Sequence, residues 1–255
     1  MSNKRPLIMV TNDDGYQAKG INMLIEAMRE IGDVVVFAPY QHQSGMSSAI
    51  TTMLPLRVKK YKEEEGLTAY YCTGTPVDCV KLALNEFMAD RKPDLLVSGI
   101  NHGSNAAISV IYSGTMGAAI EGAIFDVPAI GMSLLDHASD ADFTASCEVA
   151  KELALKVLAE GLPQGVCLNV NVPKGDVKGI KVATQTRGKW VNEYKRSQDG
   201  IGHDVYWITG RFENKEEGNE LSDEWALRNG YAAAVPVQID MTAYTYMEQL
   251  NGWNS

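Results

Sequence analysis

A short apolar run, Leu7 to Val10, ends abruptly in Thr-Asn-Asp-Asp-Gly, and no other feature of the chain narrows its fold so far. An apolar run without alternation suits a strand buried on both faces, as in a parallel sheet whose carboxyl end opens into a turn. Gly20 then precedes Ile21, Leu24, Ile25 and Met28, spaced three and four apart, and Gly32 follows as a stop; this predicts a helix. Asp33 to Pro39 reads as a second strand. A strand, helix, strand opening implies a right-handed crossover in a parallel sheet.

The alternation continues along the chain. Tyr40 to Ser48 is a polar loop, and Ala49 to Tyr71 is a β excursion broken at Pro55 and Gly66. Thr75, Pro76 and Asp78 supply a capping residue, a proline at the first helical position and an acid three residues after the cap, so a helix starts there. Pro93 to Val97 reads as a strand, Ser98 to Gly114 as a long loop, Thr115 to Phe125 as a helix packed closely on the sheet, and Val127 to Ile130 as the next strand. Asp142 to Gly161 suits an amphipathic helix, followed by strands at Val166 to Val172 and Ile180 to Thr184. Leu221 to Asn229 reads as a short helix and Ala232 to Ile239 as a last strand, in which Pro236 belongs at an edge.

From about Arg187 to Asn219 the composition turns charged, interleaved with Trp190, Tyr194, Tyr206 and Trp207, which predicts a projecting hairpin arm. With 255 residues and 45% hydrophobic content, one α/β domain spanning 1–255 with that arm as an appendage is expected. Cys72, Cys79, Cys147 and Cys167 form no CxxC pair, and the apolar run after Pro6 is too short for a leader or a membrane span, so a cytoplasmic protein with reduced thiols is expected. The net charge of −9 argues against a grip on a nucleic-acid polymer. A small anion remains compatible, because a bound cation reverses the local sign.

In open α/β sheets ligands gather at the carboxyl ends of the strands, and polar clusters follow three of them. They are Asn12 to Gly15, Gln43 to Ser48, and Ser98 to Asn101 leading on to Ser113, Gly114 and Thr115. Asp13 and Asp14 read either as ligands of a hard cation such as Mg²⁺ or Mn²⁺, with Ser44 and Asn101 completing an oxygen set, or as a turn acid and a helix cap. Ser113 to Thr115 read either as an anion-binding helix start or as an ordinary cap, and Gly45 is equally ambiguous.

The chain resembles the SurE (survival protein E) nucleotidases. The resemblance rests on Val10 to Gly15, Ala38-Pro39, Ser44-Gly45, Gly74 to Cys79, Ser98 to Asn101 with Gly103 and Asn105, Tyr112 to Thr115 with Glu121-Gly122, and Asp223 to Leu227 with Gly230-Tyr231. It implies a Rossmann-like three-layer α/β/α fold with a mostly parallel sheet. It also implies one divalent metal per subunit, Mg²⁺ or Mn²⁺, on Asp13, Asp14, Ser44 and Asn101, with Asp13, Asp14 and Asn101 catalytic. Phosphate contacts are expected from Asn12, Gly45, Ser113, Gly114 and Thr115. The implied substrates are nucleoside 5′- and 3′-monophosphates, with short polyphosphate in some relatives, and the implied assembly is a homodimer or homotetramer away from any membrane. His102 falls outside this pattern and reads as a solvated loop residue, with a general acid as the other option. Rival readings are weaker: no G-x-G-x-x-G follows the first strand and no P-loop motif is present, while a non-catalytic nucleotide-binding module would share the same site.

Overall fold

The computed structural model describes residues 5–254. Strand β1 (Leu7–Thr11) is buried along its whole length, and its residues divide between two cores. Ile8 and Val10 pack with Ile21 and Leu24 of α1 (Lys19–Arg29), whereas Leu7 and Met9 face the opposite side. This two-sided burial is why the run shows no polar alternation. The chain continues through β2 (Asp33–Pro39), β3 (Val58–Glu64), β4 (Leu67–Cys72), α2 (Pro76–Leu82), β5 (Leu95–His102), α3 (Gly114–Ile124), β6 (Ala129–Leu134), α4 (Thr144–Glu160), β7 (Val166–Val172) and β8 (Ile180–Val182). Next come β9 (Gly188–Val191), β10 (Tyr194–Gln198), β11 (Asp204–Ile208), β12 (Arg211–Asn214), α5 (Asp223–Arg228), β13 (Ala232–Gln238) and α6 (Tyr244–Asn251).

Nine strands form one sheet in the order β3-β4-β2-β1-β5-β6-β7-β13-β8. From β4 to β7 neighbouring strands run parallel, while β3 and β13 are antiparallel to their neighbours β4 and β7. Helices α1 and α4 cover one face through Leu24, Met28, Val149 and Leu153; α2 and α3 cover the other through Val80, Met116 and Ala119. The result is the three-layer, mostly parallel α/β architecture. The chain leaves β1 toward β2 on one side and later enters β5 on the other, so the order reverses at β1. A crevice for ligands opens at the carboxyl ends of strands flanking such a reversal.

Two local outcomes differ from the sequence expectation. Ser98 to His102 belongs to β5 rather than to a loop: Ser98 pairs with Thr11 of β1 and Gly131 of β6, and beyond it Asn101 and His102 pair with Ser133 and Leu134 of β6, which outweighs the weak strand preference of Ser, Gly and Asn. The pairing to β6 shifts register between Ser98 and Asn101. The sequence reading also assigns no element beyond Ile239, where the chain forms α6. Pro236 behaves as an edge residue: it pairs with Leu168 of β7 on one side, while β8 meets β13 only from Ala232 to Ala234. The arm is a long hairpin of two antiparallel ladders, β9 with β12 and β10 with β11. No helix among the described residues is long and apolar enough to cross a membrane.

Candidate active site

Asp13, two residues past β1, is 3% exposed and receives a hydrogen bond from the Thr115 hydroxyl at 2.7 Å. It lies against the start of α3, where Ser113 caps the helix by accepting from the Met116 amide at 3.0 Å. Gly114 eases this close approach, since a Cβ there would stand 3.0 Å from that of Asp13. The positive end of the helix dipole therefore faces a carboxylate. Burial nevertheless dominates and pushes the Asp13 carboxyl up to about 6, against the Thr115 hydrogen bond, with the neighbouring Asp14 charge adding to the rise.

The loop after β2 is pinned at both ends. The Gln43 amide donates to the Asp13 carbonyl at 2.7 Å, and the Ser47 hydroxyl donates to the Ile111 carbonyl at 2.5 Å. Gly117 of α3 permits this approach, because a Cβ there would come within 2.3 Å of the Ser47 carbonyl oxygen. Ser44 and Gly45, both exposed, thereby stand over the carboxyl ends of the strands. Asn101, near the end of β5, spends its amide N–H groups on the carbonyls of Gly103 and His102, at 2.9 and 3.2 Å. Its side-chain oxygen is left to act as an acceptor.

These residues share a cavity of about 550 Å³. Asp13, Ser44, Gly45, Asn101 and Ser113 line it together with Tyr112 and the arm residues Trp190, Glu193, Tyr194, Ile208 and Thr209. The remaining sequence candidates, Asn12, Asp14, Gly114 and Thr115, neighbour these residues in sequence without lining the cavity. The Asp14 carboxylate faces His42 Nδ1 at 3.2 Å and the His102 amide at 3.4 Å. The Asn12 side chain donates to the Gly15 carbonyl at 2.9 Å, and Thr115 is engaged with Asp13. His102 is not a solvated loop residue: it ends β5, lines the cavity, sets its ring edge-on to Phe143 at 4.9 Å, and buries Nδ1 without a hydrogen-bond partner.

Sequence reasoning missed the polar scaffold behind the cavity. Asn171 Oδ1 accepts from the Asn105 amide at 2.8 Å, Asn105 Nδ2 donates to Ser133 at 2.8 Å, and Asn169 Nδ2 donates to the Asn105 carbonyl at 2.8 Å. Asp223, fully buried, accepts from the amides of Ala107, Thr186 and Glu224 and from the Thr186 hydroxyl. It ties the loop after β5 to the base of the arm. The signal available was polar residues inside otherwise apolar strands, as in Cys-Leu-Asn-Val-Asn-Val from Cys167 to Val172.

The donor chemistry fits a hard divalent cation. Two adjacent carboxylates, an amide oxygen with its nitrogen already bonded and a free hydroxyl are all oxygen donors. Among the described residues, buried Asp13 has no ion-pair partner and the neighbouring Asn12 Oδ1 is buried without a hydrogen-bond partner. Among the described residues no three His, Cys, Asp or Glu side chains group as a metal site, so such an ion would have only two charged donors.

Residues 8–192 match the family model described as Survival protein SurE. The chain is 49% identical over 255 residues to the 5′-nucleotidase SurE of Phocaeicola vulgatus, covering 100% of this chain and 99% of that protein. It is 52% identical over 254 residues to the 5′-nucleotidase SurE of Flavobacterium psychrophilum, covering 98% of each. Among solved structures, the crystal structure of the SurE protein from Aquifex aeolicus superposes with a TM-score of 0.83 at 35% identity, covering 98% of this chain and 100% of that one.

Proposed function

The chain belongs to the SurE family, and from that premise we propose that it hydrolyses nucleoside 5′-monophosphates to nucleoside and phosphate with one divalent metal ion, Mg²⁺ or Mn²⁺, per subunit. It is a 5′-nucleotidase. The observation that carries the metal-dependent reading is the convergence of Asp13, Ser44, Asn101 and the Ser113 helix cap on one cavity at the point where the strand order reverses.

Asp13, Asp14, Ser44 and Asn101 would hold the ion. Once bound, it would supply Lewis-acid neutralisation of charge developing on the phosphoryl oxygens. The chain's own groups do the rest. Thr115 fixes the Asp13 carboxylate, while His42 and the His102 amide fix that of Asp14, so neither has to reorganise during reaction. Gly45 and Ser113, with the amides at the start of α3, present donors to a phosphate, and these contacts are common to every nucleotide. We therefore include 3′-monophosphates among the substrates, with short polyphosphate as a weaker one because it brings further charge to an acidic chain, and a nucleic-acid polymer is disfavoured by the net charge of −9. Burial of all four cysteines as free thiols supports a reducing, cytoplasmic setting. A single α/β domain over 1–255 that assembles as a homodimer or homotetramer through its arm completes the reading.

A panel of 5′- and 3′-monophosphates, short polyphosphate and p-nitrophenyl phosphate, each with Mg²⁺ and Mn²⁺, tests it. Phosphate release from several nucleoside monophosphates is expected, with Asp14→Asn lowering both rate and Mn²⁺ affinity by calorimetry. Turnover confined to the non-nucleotide ester, or an Asp14→Asn variant binding Mn²⁺ as tightly as the parent, would count against it.

A further inference from the structure

We propose that Trp190 of the arm is the platform on which the nucleobase of the substrate stacks, which makes the arm a part of the active site; this rests on the nucleotidase reading above. The cavity's size is the first argument. At about 550 Å³ it has the volume of a whole small-molecule site, and a phosphate beside Asp13 and Ser113 would leave most of it unfilled. The remaining space is open to the rest of the substrate. The lining shared with the arm includes Tyr112, Trp190, Tyr194 and Ile208, together with Glu193. A carboxylate on this wall disfavours a second anion there, so the uncharged nucleoside, and not a further phosphate, suits it.

Among these side chains Trp190 is the one held in place. It is half-buried at β9, whereas Tyr112 and Tyr194 are 56% and 67% exposed. Its indole N–H donates to the Ser109 hydroxyl at 3.2 Å, and its ring meets Phe212 edge-on with centroids 6.2 Å apart. Ser109 lies on the segment that connects β5 to α3, so the hydrogen bond fixes the ring to the body of the protein that carries Asn101 and Ser113. Two consequences follow. A ring already immobilised loses little further freedom on stacking. Because its only polar atom is committed, the indole offers a π-face and no hydrogen bond to a base edge, and stacking of that kind accepts every base. The platform accordingly accounts for breadth among nucleotides together with preference for a nucleotide over a baseless phosphate ester.

The test compares 5′-AMP with ribose 5-phosphate, which carries the same ester and no base, in the full-length parent, Trp190→Ala and Trp190→Phe. Trp190→Ala should raise the KM for AMP about tenfold, the loss of one base-stacking contact, at nearly unchanged kcat. It should lower kcat/KM for ribose 5-phosphate by a clearly smaller factor than that for AMP, and Trp190→Phe should recover most of the loss on AMP. Equal losses on both esters would mean that Trp190 only supports the fold of the arm, and an unaltered KM for AMP would mean that no base stacks there; either overturns the proposal. A second readout needs no turnover. Adenosine should quench the tryptophan fluorescence of the parent saturably, and the quench should vanish in Trp190→Phe; no quench in the parent, or one that persists in Trp190→Phe, also overturns it. Failure of the nucleotidase reading shows differently, as a parent that releases no phosphate from either ester, and the adenosine titration then decides the platform alone.

Discussion

Asp13 sets the electrostatics of the site at the scale of single residues. Its folded carboxyl titrates at about 6 against an ordinary value of 3.8, with burial as the main cause. The unfolded chain releases this proton first as pH rises. In metal-free protein, stability should therefore fall between about pH 4 and about pH 6, by about 3 kcal/mol once the group is ionised in both states. Asp13→Asn keeps the shape and removes the charge, so in chelator at neutral pH it should melt several degrees above the parent, with the gap closing toward pH 4. Saturating Mn²⁺ should reverse that order, because the parent gains a ligand and the variant has lost one. Thermal melts with chelator and with metal check it; a parent more stable than the variant in chelator at neutral pH would show that the carboxylate is already neutralised. At this scale the sequence was legible where chemistry is crowded. Asp13, Ser44, Gly45, Asn101 and Ser113, which all line the cavity, sit in runs of polar and small residues. The Asn105, Asn169 and Asn171 network was not legible, because its partners lie more than sixty residues apart and only the sheet brings them together.

The elements keep these residues in register, and Asp223 at the start of α5 is where three segments are fastened. Its carboxylate accepts from Ala107 at 2.8 Å, from the Thr186 amide at 3.0 Å and hydroxyl at 2.5 Å, and from Glu224 at 2.8 Å. Asp223→Ala would leave buried donors without acceptors, a cost of about 3–5 kcal/mol. For a chain of this size that lowers the melting temperature by roughly 10 °C. Asp223→Asn, which retains one acceptor, should fall between parent and Ala variant by differential scanning fluorimetry. A melting temperature for Asp223→Ala within about 2 °C of the parent would contradict the clasp, given the 2–4 °C expected per kcal/mol. Helix starts were the most readable elements: the capping box at Thr75 and Asp78 is a local device and occurs as its spacing predicts, and of the two readings left open at Ser113 the cap is present. Strand ends were read less well. The Ser-Gly-Ile-Asn stretch, with its poor strand propensity, extends β5 because Ser98 is held by β1 and β6 and Asn101 is held again by β6.

Over the whole molecule, the mostly parallel sheet followed directly from the opening strand, helix, strand unit, whereas the use made of the arm was harder to foresee. Trp190 packs onto Ser109 and Phe212 of its own chain, while Tyr206 and Trp207 farther out on the arm stay 63% and 65% exposed. Exposed aromatic patches of this kind mark association surfaces. Tyr206→Glu with Trp207→Glu, neither of which lines the cavity, should reduce particle mass by light scattering, and an unchanged mass would count against assembly through the arm. The acidic balance, 32 Asp and Glu against 23 Lys and Arg, likewise acts at this scale, and on the proposed reading a bound cation offsets it where the phosphate sits. The most direct test of the account is phosphate release from 5′-AMP by the full chain after chelation and again after Mn²⁺ is restored. The account predicts that release stops in chelator and returns with the metal; release that continues unchanged in chelator would contradict it.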